Sequence, residues 1–387
     1  MNFFLAPMAE LSHRALRELI EDFGGCGAYF SEMISAGALL AGGPFEKWYT
    51  DPGPAPEKCV FQVVGADSEQ ISRATAVLDR LDCAGIDINM GCSAPLIRKQ
   101  GAGAAWMASI DRAGELISRV RPLVKRRLSV KLRIGFQDDF EYLVRFCRRL
   151  EEAGTELITL HPRTVREKFK RLARWEYVGA LRQELSIPVA GNGDIASAED
   201  LVRRAAGPCD AVMVGRAAVR QPWIFAEARK IEEKRALFPN KKSTPLRGVD
   251  EKNLNVPAQE NSIACNNNRP PLGGRARRAG SVPENELCPQ GRALSLKAGS
   301  VPETELCPQG QALSLKAGSV PETGFRFLEL LALYQPPEFY ISRAKRFFGF
   351  FCDNLKWGNY LKNKINREDS LSGIEQVWRE YFKENEC

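Results

Sequence analysis

Gly85-Ile86-Asp87-Ile88-Asn89-Met90-Gly91-Cys92 is an alternating apolar run that stops abruptly at a small-residue turn carrying a thiol. That layout predicts a buried strand delivering Asn89 and Cys92 to its C-terminal edge. In a barrel of parallel strands this is the edge where chemistry is done. Taken alone, the run also fits a core strand with a structural cysteine, because free Cys is usually buried and inert. The rest of the chain changes the balance.

From Met1 to about Lys234, short strand-like runs alternate with amphipathic helical stretches. The strands read as Phe3 to Met8, Ala28 to Glu32, Cys59 to Val64, Gly85 to Asn89, Leu128 to Arg133, Glu156 to His161, Pro188 to Asn192 and Asp210 to Val214. Between them lie helical patterns such as His13 to Phe23, Glu69 to Leu81, Asp111 to Arg126, Phe140 to Ala153, Trp175 to Glu184 and Ser197 to Ala206. Eight such units in about 230 residues have the size and rhythm of an α/β fold of the (β/α)8, or TIM-barrel, class.

The C-terminal ends of those strands carry Pro7-Met8, Glu32, Gln62, Asn89 with Cys92, Lys131 with Arg133, His161 with Arg163, Asn192, and Gly215-Arg216. In a barrel all eight ends meet at one mouth, so these groups converge on a single pocket. Gly191-Asn192-Gly193-Asp194 and Gly215-Arg216 read as phosphate-holding loops, since glycine permits close backbone approach and an arginine adds a bidentate donor. Lys131 can set a positive charge against an electron-rich ring and His161 a hydrogen bond on the same ring. The competing readings are ordinary tight turns, a solvated lysine and a structural histidine.

The 387 residues are 44% hydrophobic and 27% charged, enough for a large domain and a smaller one. A formal net charge of +7 suits a polyanionic partner. The N-terminus lacks a basic region followed by a long apolar one, so no signal peptide is expected, and no segment reads as membrane-spanning. Eleven Cys with no CxxC pair argue against a zinc ribbon and a secreted disulfide framework. A reducing cytoplasm is the expected setting. With His13 and His161 the only histidines, no metal site is expected.

Beyond about Leu237 the composition turns to Asn, Pro, Lys and Arg without apolar periodicity. A 19-residue repeat follows, from Ala279 to Lys297, from Ala298 to Lys316, and in part from Ala317 to Thr323. Two and a fraction copies cannot bury a continuous core. The expected organisation is therefore a barrel over 1–236, a disordered low-complexity insertion over 237–323 and an all-helical domain over 324–387. In the last, Arg343, Lys345, Arg346, Lys356, Lys362, Lys364 and Arg367 face Asp353 as the single acid between Ile341 and Arg367. They are interleaved with Phe347, Phe348, Phe350, Trp357 and Tyr360. The basic groups suit phosphates, and the aromatics, at helical spacing, read as core.

Ala6-Pro7-Met8, Asn89-Met90-Gly91-Cys92 with Gly101-Ala102-Gly103, Lys131-Leu132-Arg133, His161-Pro162-Arg163-Thr164, Gly191-Asn192-Gly193-Asp194, and Val214-Gly215-Arg216 with Pro222-Trp223-Ile224-Phe225 together resemble the tRNA-dihydrouridine synthases. The resemblance is dense from Asn2 to Ala228 and looser in the helical part. It implies an enzyme that holds FMN and uses NADPH (or NADH) to reduce uridines in tRNA to 5,6-dihydrouridine, acting as a monomer. Carried over by position, Cys92 is the proton donor and Asn89 orients the uracil. Pro7, Met8 and Gln62 line the flavin ring, Lys131 and His161 contact its polar edge, and Asn192, Gly193, Gly215 and Arg216 hold its phosphate. Arg133 and Arg163 serve either flavin or tRNA.

Two features depart from the pattern. The family has Pro directly after the Cys, whereas Ser93 stands here and Pro95 follows two later, and the 237–323 insertion falls at the join between barrel and helices. Two other readings remain at this level, a barrel flavoenzyme acting on a free pyrimidine or other small unsaturated molecule, and a non-catalytic tRNA-binding protein.

Overall fold

The computed structural model describes residues 2–237 and 318–385, all within one compact unit. Eight parallel strands, β1 (Asn2–Leu5), β2 (Ala28–Ser35), β3 (Cys59–Val64), β4 (Gly85–Met90), β5 (Arg127–Gly135), β6 (Leu157–Thr164), β7 (Val189–Asn192) and β8 (Ala211–Val214), form a closed barrel in sequence order. Closure is β8 against β1, with Phe4 opposite Met213. The fold is the (β/α)8 barrel.

The helices of the barrel portion are α1 (Arg14–Asp22), α2 (Ala36–Ala41), α3 (Glu46–Tyr49), α4 (Ser68–Leu78), α5 (Pro95–Lys99), α6 (Ile110–Val120), α7 (Phe140–Glu152), α8 (Trp175–Glu184), α9 (Ala198–Ala205), α10 (Arg216–Arg220) and α11 (Ile224–Leu237). Asp67, Ser109, Asp139 and Ser197 cap α4, α6, α7 and α9 by accepting a first-turn backbone N–H, which fixes where each returning chain enters its helix. Strand alternation then sorts the side chains. Ile86 and Ile88 join the main apolar core, while Asp87 and Asn89 take the opposite face, into the barrel.

β1 is shorter than its sequence pattern. Ala6 gives its N–H to Val214 O, and Pro7 has no N–H with which to continue the ladder. Pro7, Met8 and Ala9 therefore leave the sheet and line the cavity at its mouth.

Four helices follow, α12 (Val320–Tyr334), α13 (Pro337–Phe351), α14 (Gly358–Arg367) and α15 (Leu371–Asn385). α12 begins inside the third repeat copy, earlier than the pattern suggested, because Ser319 and Glu322 form a reciprocal capping box with Pro321 in the first turn. Trp378 of α15 donates to Pro321 O and locks that turn. The expected insertion lies, from 238 to 317, outside the described residues. Phe327, Phe347, Phe348, Phe351 and Trp378 form the aromatic centre of this region, with Phe327 and Phe347 stacked at 3.7 Å. Trp357 and Tyr360, expected in the core, are instead 57% and 56% exposed, beside Lys356 and Lys364. They precede or open α14 on the side that its buried residues, Leu361 and Ile365, leave to solvent. Among the described residues no helix is long and apolar enough to cross a membrane.

Candidate active site

Asn89, near the end of β4, turns its side chain back along the chain. Its Oδ1 accepts from the backbone N–H of Gly91 (3.1 Å) and Cys92 (2.9 Å), the same local bonding that caps helices. Cys92 O accepts from Ala104 N at 3.0 Å, and Gly91 O accepts from Arg133 Nε at 3.1 Å. Gly103, at φ +59°, lies so close that a Cβ would stand 2.8 Å from Cys92 O, so the Gly101-Ala102-Gly103 stretch serves to seat the thiol loop. Pro95 opens α5 at its first turn, where its missing N–H is harmless. Ser93 lies between Cys92 and that helix and also lines the cavity.

Beneath the thiol loop runs a buried polar chain. Asn89 Nδ2 donates to Gln62 Oε1 (2.8 Å), Gln62 Nε2 donates to Asp87 Oδ2 (2.6 Å), and Ser129 Oγ donates to Asp87 Oδ1 (2.6 Å). A carboxylate only accepts, so Asp87 orients the Gln62 amide and, through it, the Asn89 amide. Burial pushes the Asp87 carboxyl up to about 6, against the Ser129 and Gln62 hydrogen bonds and the Lys131 charge, which favour ionisation. Gln62, expected against the flavin ring, does not line the cavity. It is fully buried one layer down and acts through Asn89.

Above this chain the cavity is cationic. Lys131 Nζ donates to Asn192 Oδ1 at 3.1 Å, and Asn192 Nδ2 donates to Met213 O at 2.8 Å, so the Asn192 amide is engaged at both ends. Burial first, and the Arg133 charge next, lower the Lys131 ammonium to about 8. Arg133 also bonds Thr164 O and Lys168 O, tying the thiol loop to the β6 loop. Burial and Arg163 bring its guanidinium down to about 10. Arg163 Nη2 donates to both carboxylate oxygens of Asp194, at 2.6 and 2.8 Å. His161 is held well below its usual range by burial and by Lys131, Arg133, Arg163 and Arg216, and is therefore neutral. Arg163 Nη1 lies 3.0 Å from His161 Nε2, and a guanidinium can only donate, so Nε2 accepts and the ring proton sits on Nδ1.

Gly193, at φ +120°, is the second glycine whose conformation matters. A Cβ there would stand 3.1 Å from both Ala173 and the His161 ring. Arg216, the first residue of α10, reaches from the end of β8 to the β6 loop, its guanidinium 4.8 Å from the Phe169 ring centre. Phe169, 59% exposed, lines the cavity beside His161 and Arg133.

These groups enclose one cavity of about 540 Å³ at the C-terminal mouth, within the range of small-molecule and cofactor sites. Pro7, Met8, Asn89, Cys92, Lys131, Arg133, His161, Arg163, Asn192, Gly193, Gly215 and Arg216 all line it. Its charged lining is Lys131, Arg133, Arg163, Lys168, Arg216 and Arg346 against Asp194, which Arg163 already pairs. Such a lining favours an anion.

The family model described as "Dihydrouridine synthase (Dus)" matches residues 4–258. The chain belongs to the dihydrouridine synthase family. It is 35% identical over 241 residues to a probable tRNA-dihydrouridine synthase of Aquifex aeolicus (strain VF5), covering 59% of this chain and 75% of that protein. It is 30% identical over 257 residues to the tRNA-dihydrouridine(16) synthase of Ralstonia nicotianae (strain ATCC BAA-1114 / GMI1000), with coverage of 63% and 77%. The tRNA-dihydrouridine synthase B of Proteus vulgaris is 33% identical over 244 residues, with coverage of 60% and 72%.

In this member of the family, Asp87, Phe169, Asp194 and Arg346 are site residues that the sequence did not single out for the cavity. Asp87 had a local signal, since strand alternation puts it on the face of Asn89. Asp194 stands beside the glycines already singled out. Phe169 had none, because it lies in an irregular loop, and Arg346, read only as one of the basic groups suited to phosphates, had none for its place at the cavity, since α13 comes more than a hundred residues after the last strand.

Proposed function

We propose that this chain reduces the C5=C6 bond of uridine in tRNA to 5,6-dihydrouridine, with FMN in the cavity, NADPH or NADH as reductant and Cys92 as the proton donor. The observation that carries this reading is the thiol loop, fixed by Asn89, Ala104 and Arg133 at the rim of a deep cationic cavity. Bound FMN supplies a hydride for C6 of the uracil ring.

The residues present fit that group. Ala6, Pro7, Met8 and Met213 offer an apolar wall, and Lys131 and the Nδ1–H of neutral His161 offer a polar edge. Gly193 lines the cavity with backbone in a conformation that a side chain would strain, and Arg216 adds a cation for a phosphate. Asn192, already bonded at both ends, serves by holding Lys131 in place.

Charge left at C5 after hydride arrival needs a proton, and a thiol S–H can act as the general acid that supplies it. Cys92 transfers its S–H proton to C5 and regains one from solvent through its half-exposed side. The Asn89 carbonyl is occupied by the thiol loop, so Asn89 has only its remaining N–H for the uracil. Arg133, with one terminal nitrogen outside its backbone contacts, faces the same space. A uridine in folded tRNA reaches this depth only by leaving its stack. The basic helical region, which sends Arg346 to the cavity rim, suits the flanking phosphates.

The test is a single turnover with NADPH-reduced protein and unmodified tRNA. Reoxidation of the yellow chromophore should require tRNA and yield dihydrouridine. Cys92→Ala should slow it by about 100-fold or more, as loss of a general acid does, while flavin content stays unchanged. Equal reoxidation by free uridine would move the reading to a small-molecule reductase, and a colourless protein would remove it altogether.

A further inference from the structure

Glu32 lies near the C-terminal end of β2, yet its carboxylate does not line the cavity. One oxygen, Oε1, accepts the backbone N–H of Glu10 at 2.6 Å, and the other, Oε2, lies 3.0 Å from Arg343 Nη2 on α13. Both side chains are almost sealed from solvent, at 4% and 2% exposure. The two partners belong to different parts of the molecule. Glu10 follows Pro7, Met8 and Ala9, which form one wall of the cavity, and Arg343 belongs to the helices beyond the barrel.

The surroundings make this junction specific. The Arg343 guanidinium sits 4.6 Å from the Phe339 ring centre and 5.5 Å from that of Tyr49, and it donates to Gln335 Oε1. Arg17 adds a second positive charge near Glu32, and its own Nη1 donates to Ser12 O at the far end of the same loop. Glu10 holds φ +63°, a left-handed conformation that a non-glycine residue keeps only when its surroundings impose it. Three residues along α13 from Arg343, Arg346 Nε approaches Glu10 Oε2 at 3.9 Å and also lines the cavity.

We infer that Glu32 is a positioning residue that transmits the docking of α13 to the Pro7–Glu10 wall of the cavity. With Arg343 in place, the Glu32 carboxylate, pushed up by burial and held back by the Arg343 charge, has its ion-pair partner and pins the loop through Glu10 N–H. Without Arg343 the carboxylate is left buried with only Arg17 for charge compensation, and burial favours its protonation. The strong charge-assisted bond to Glu10 then weakens, and the loop wall loosens although Arg343 itself touches no cavity atom.

A double-mutant cycle read by amide hydrogen exchange tests this on the full-length protein. Arg343→Met should speed exchange of the amides of residues 8–12 at least tenfold, with Arg343→Lys, which keeps the charge, in between. In a Glu32→Gln background, where a neutral amide oxygen accepts from Glu10 regardless of Arg343, Arg343→Met should change that exchange less than twofold. An equal acceleration in both backgrounds, or none in either, overturns the inference. Where Arg343→Met does not fold, Arg343→Lys in the two backgrounds completes the cycle. A second arm measures FMN affinity, expected to fall about tenfold in Arg343→Met. That arm rests on the proposed function, and if the wild-type protein binds no flavin the exchange arm still decides the coupling.

Discussion

The two ends of the barrel interior are lined by the same strands and hold opposite chemistry. Toward the strand N-termini, Phe4, Phe30, Val60 and Leu157 pack together with Ala190 and Ala211, the Phe4 and Phe30 rings 5.8 Å apart, and Met213 joins this cluster from beneath the cavity that it also lines. Toward the C-termini the inward positions are Asp87, Gln62, Asn89, Lys131, Arg133, His161 and Asn192, every one engaged by a partner. The apolar end excludes water, and that exclusion is what shifts the ionisable groups above it. Asp87 moves up and Lys131 and His161 move down in the order that burial dictates. Stability and reactivity are thus divided along the barrel axis, with the polar layer drawing its electrostatic character from the apolar one.

That division has measurable consequences beyond the loss of turnover expected for Cys92→Ala. Phe30→Ala, in the apolar end, should cost about 3–5 kcal/mol of unfolding free energy in urea titrations, while activity per folded molecule stays within about twofold. A comparable drop in activity per folded molecule would show that the two layers are not separable.

Asp87→Asn should act in the other sense on stability, and its effect should depend on pH. Folding raises the Asp87 pKa from 3.8 to about 6, so the folded chain favours the protonated acid. That contribution is fully present below the ordinary value and is lost as pH rises through about 6. The difference in unfolding free energy, variant minus wild type, should therefore grow between pH 4 and 6 and level off above it, reaching a few kcal/mol at most, as urea titrations across that range will read. At the same time the thiol loop should loosen, since an amide cannot accept from both Ser129 and Gln62 with both of its terminal atoms. A pH-independent difference would show that the chain of amides, and not the charge, is what matters at that position.

The smallest of these effects concerns Lys131. With its ammonium lowered to about 8, the cavity loses that charge above pH 8. FMN affinity measured by equilibrium dialysis should weaken by up to about tenfold per pH unit between pH 8 and 10, and Lys131→Met should remove this pH dependence. An affinity flat across that range would leave the cofactor's charge to Arg216 and Arg133.

Much of the fold was legible in the chain. Each of the eight strand patterns matches a strand of the barrel, because a buried parallel strand needs an apolar run of fixed length and a small-residue stop, and both are local features. The mouth residues were legible for the same reason, as polar groups at strand ends. Gln62 shows the limit of that reasoning. As a strand-end amide it was indistinguishable from a ligand contact, yet it lies under Asn89 and spends both ends of its side chain on protein groups. Trp357 and Tyr360 show a second limit, since helical spacing does not say which face of a helix finds a neighbour.

Local pattern, then, specified the strands, their polar ends, the thiol turn and the helical character of residues 320–385. Closure and packing alone settled which of those ends share a cavity and which merely support it, and that α13 reaches Glu32 across more than three hundred residues. The physical reason is range. Periodicity, capping and turn chemistry act over a few residues along the chain, whereas burial, hydrogen-bond saturation and pKa shifts depend on what folding brings within a few ångströms.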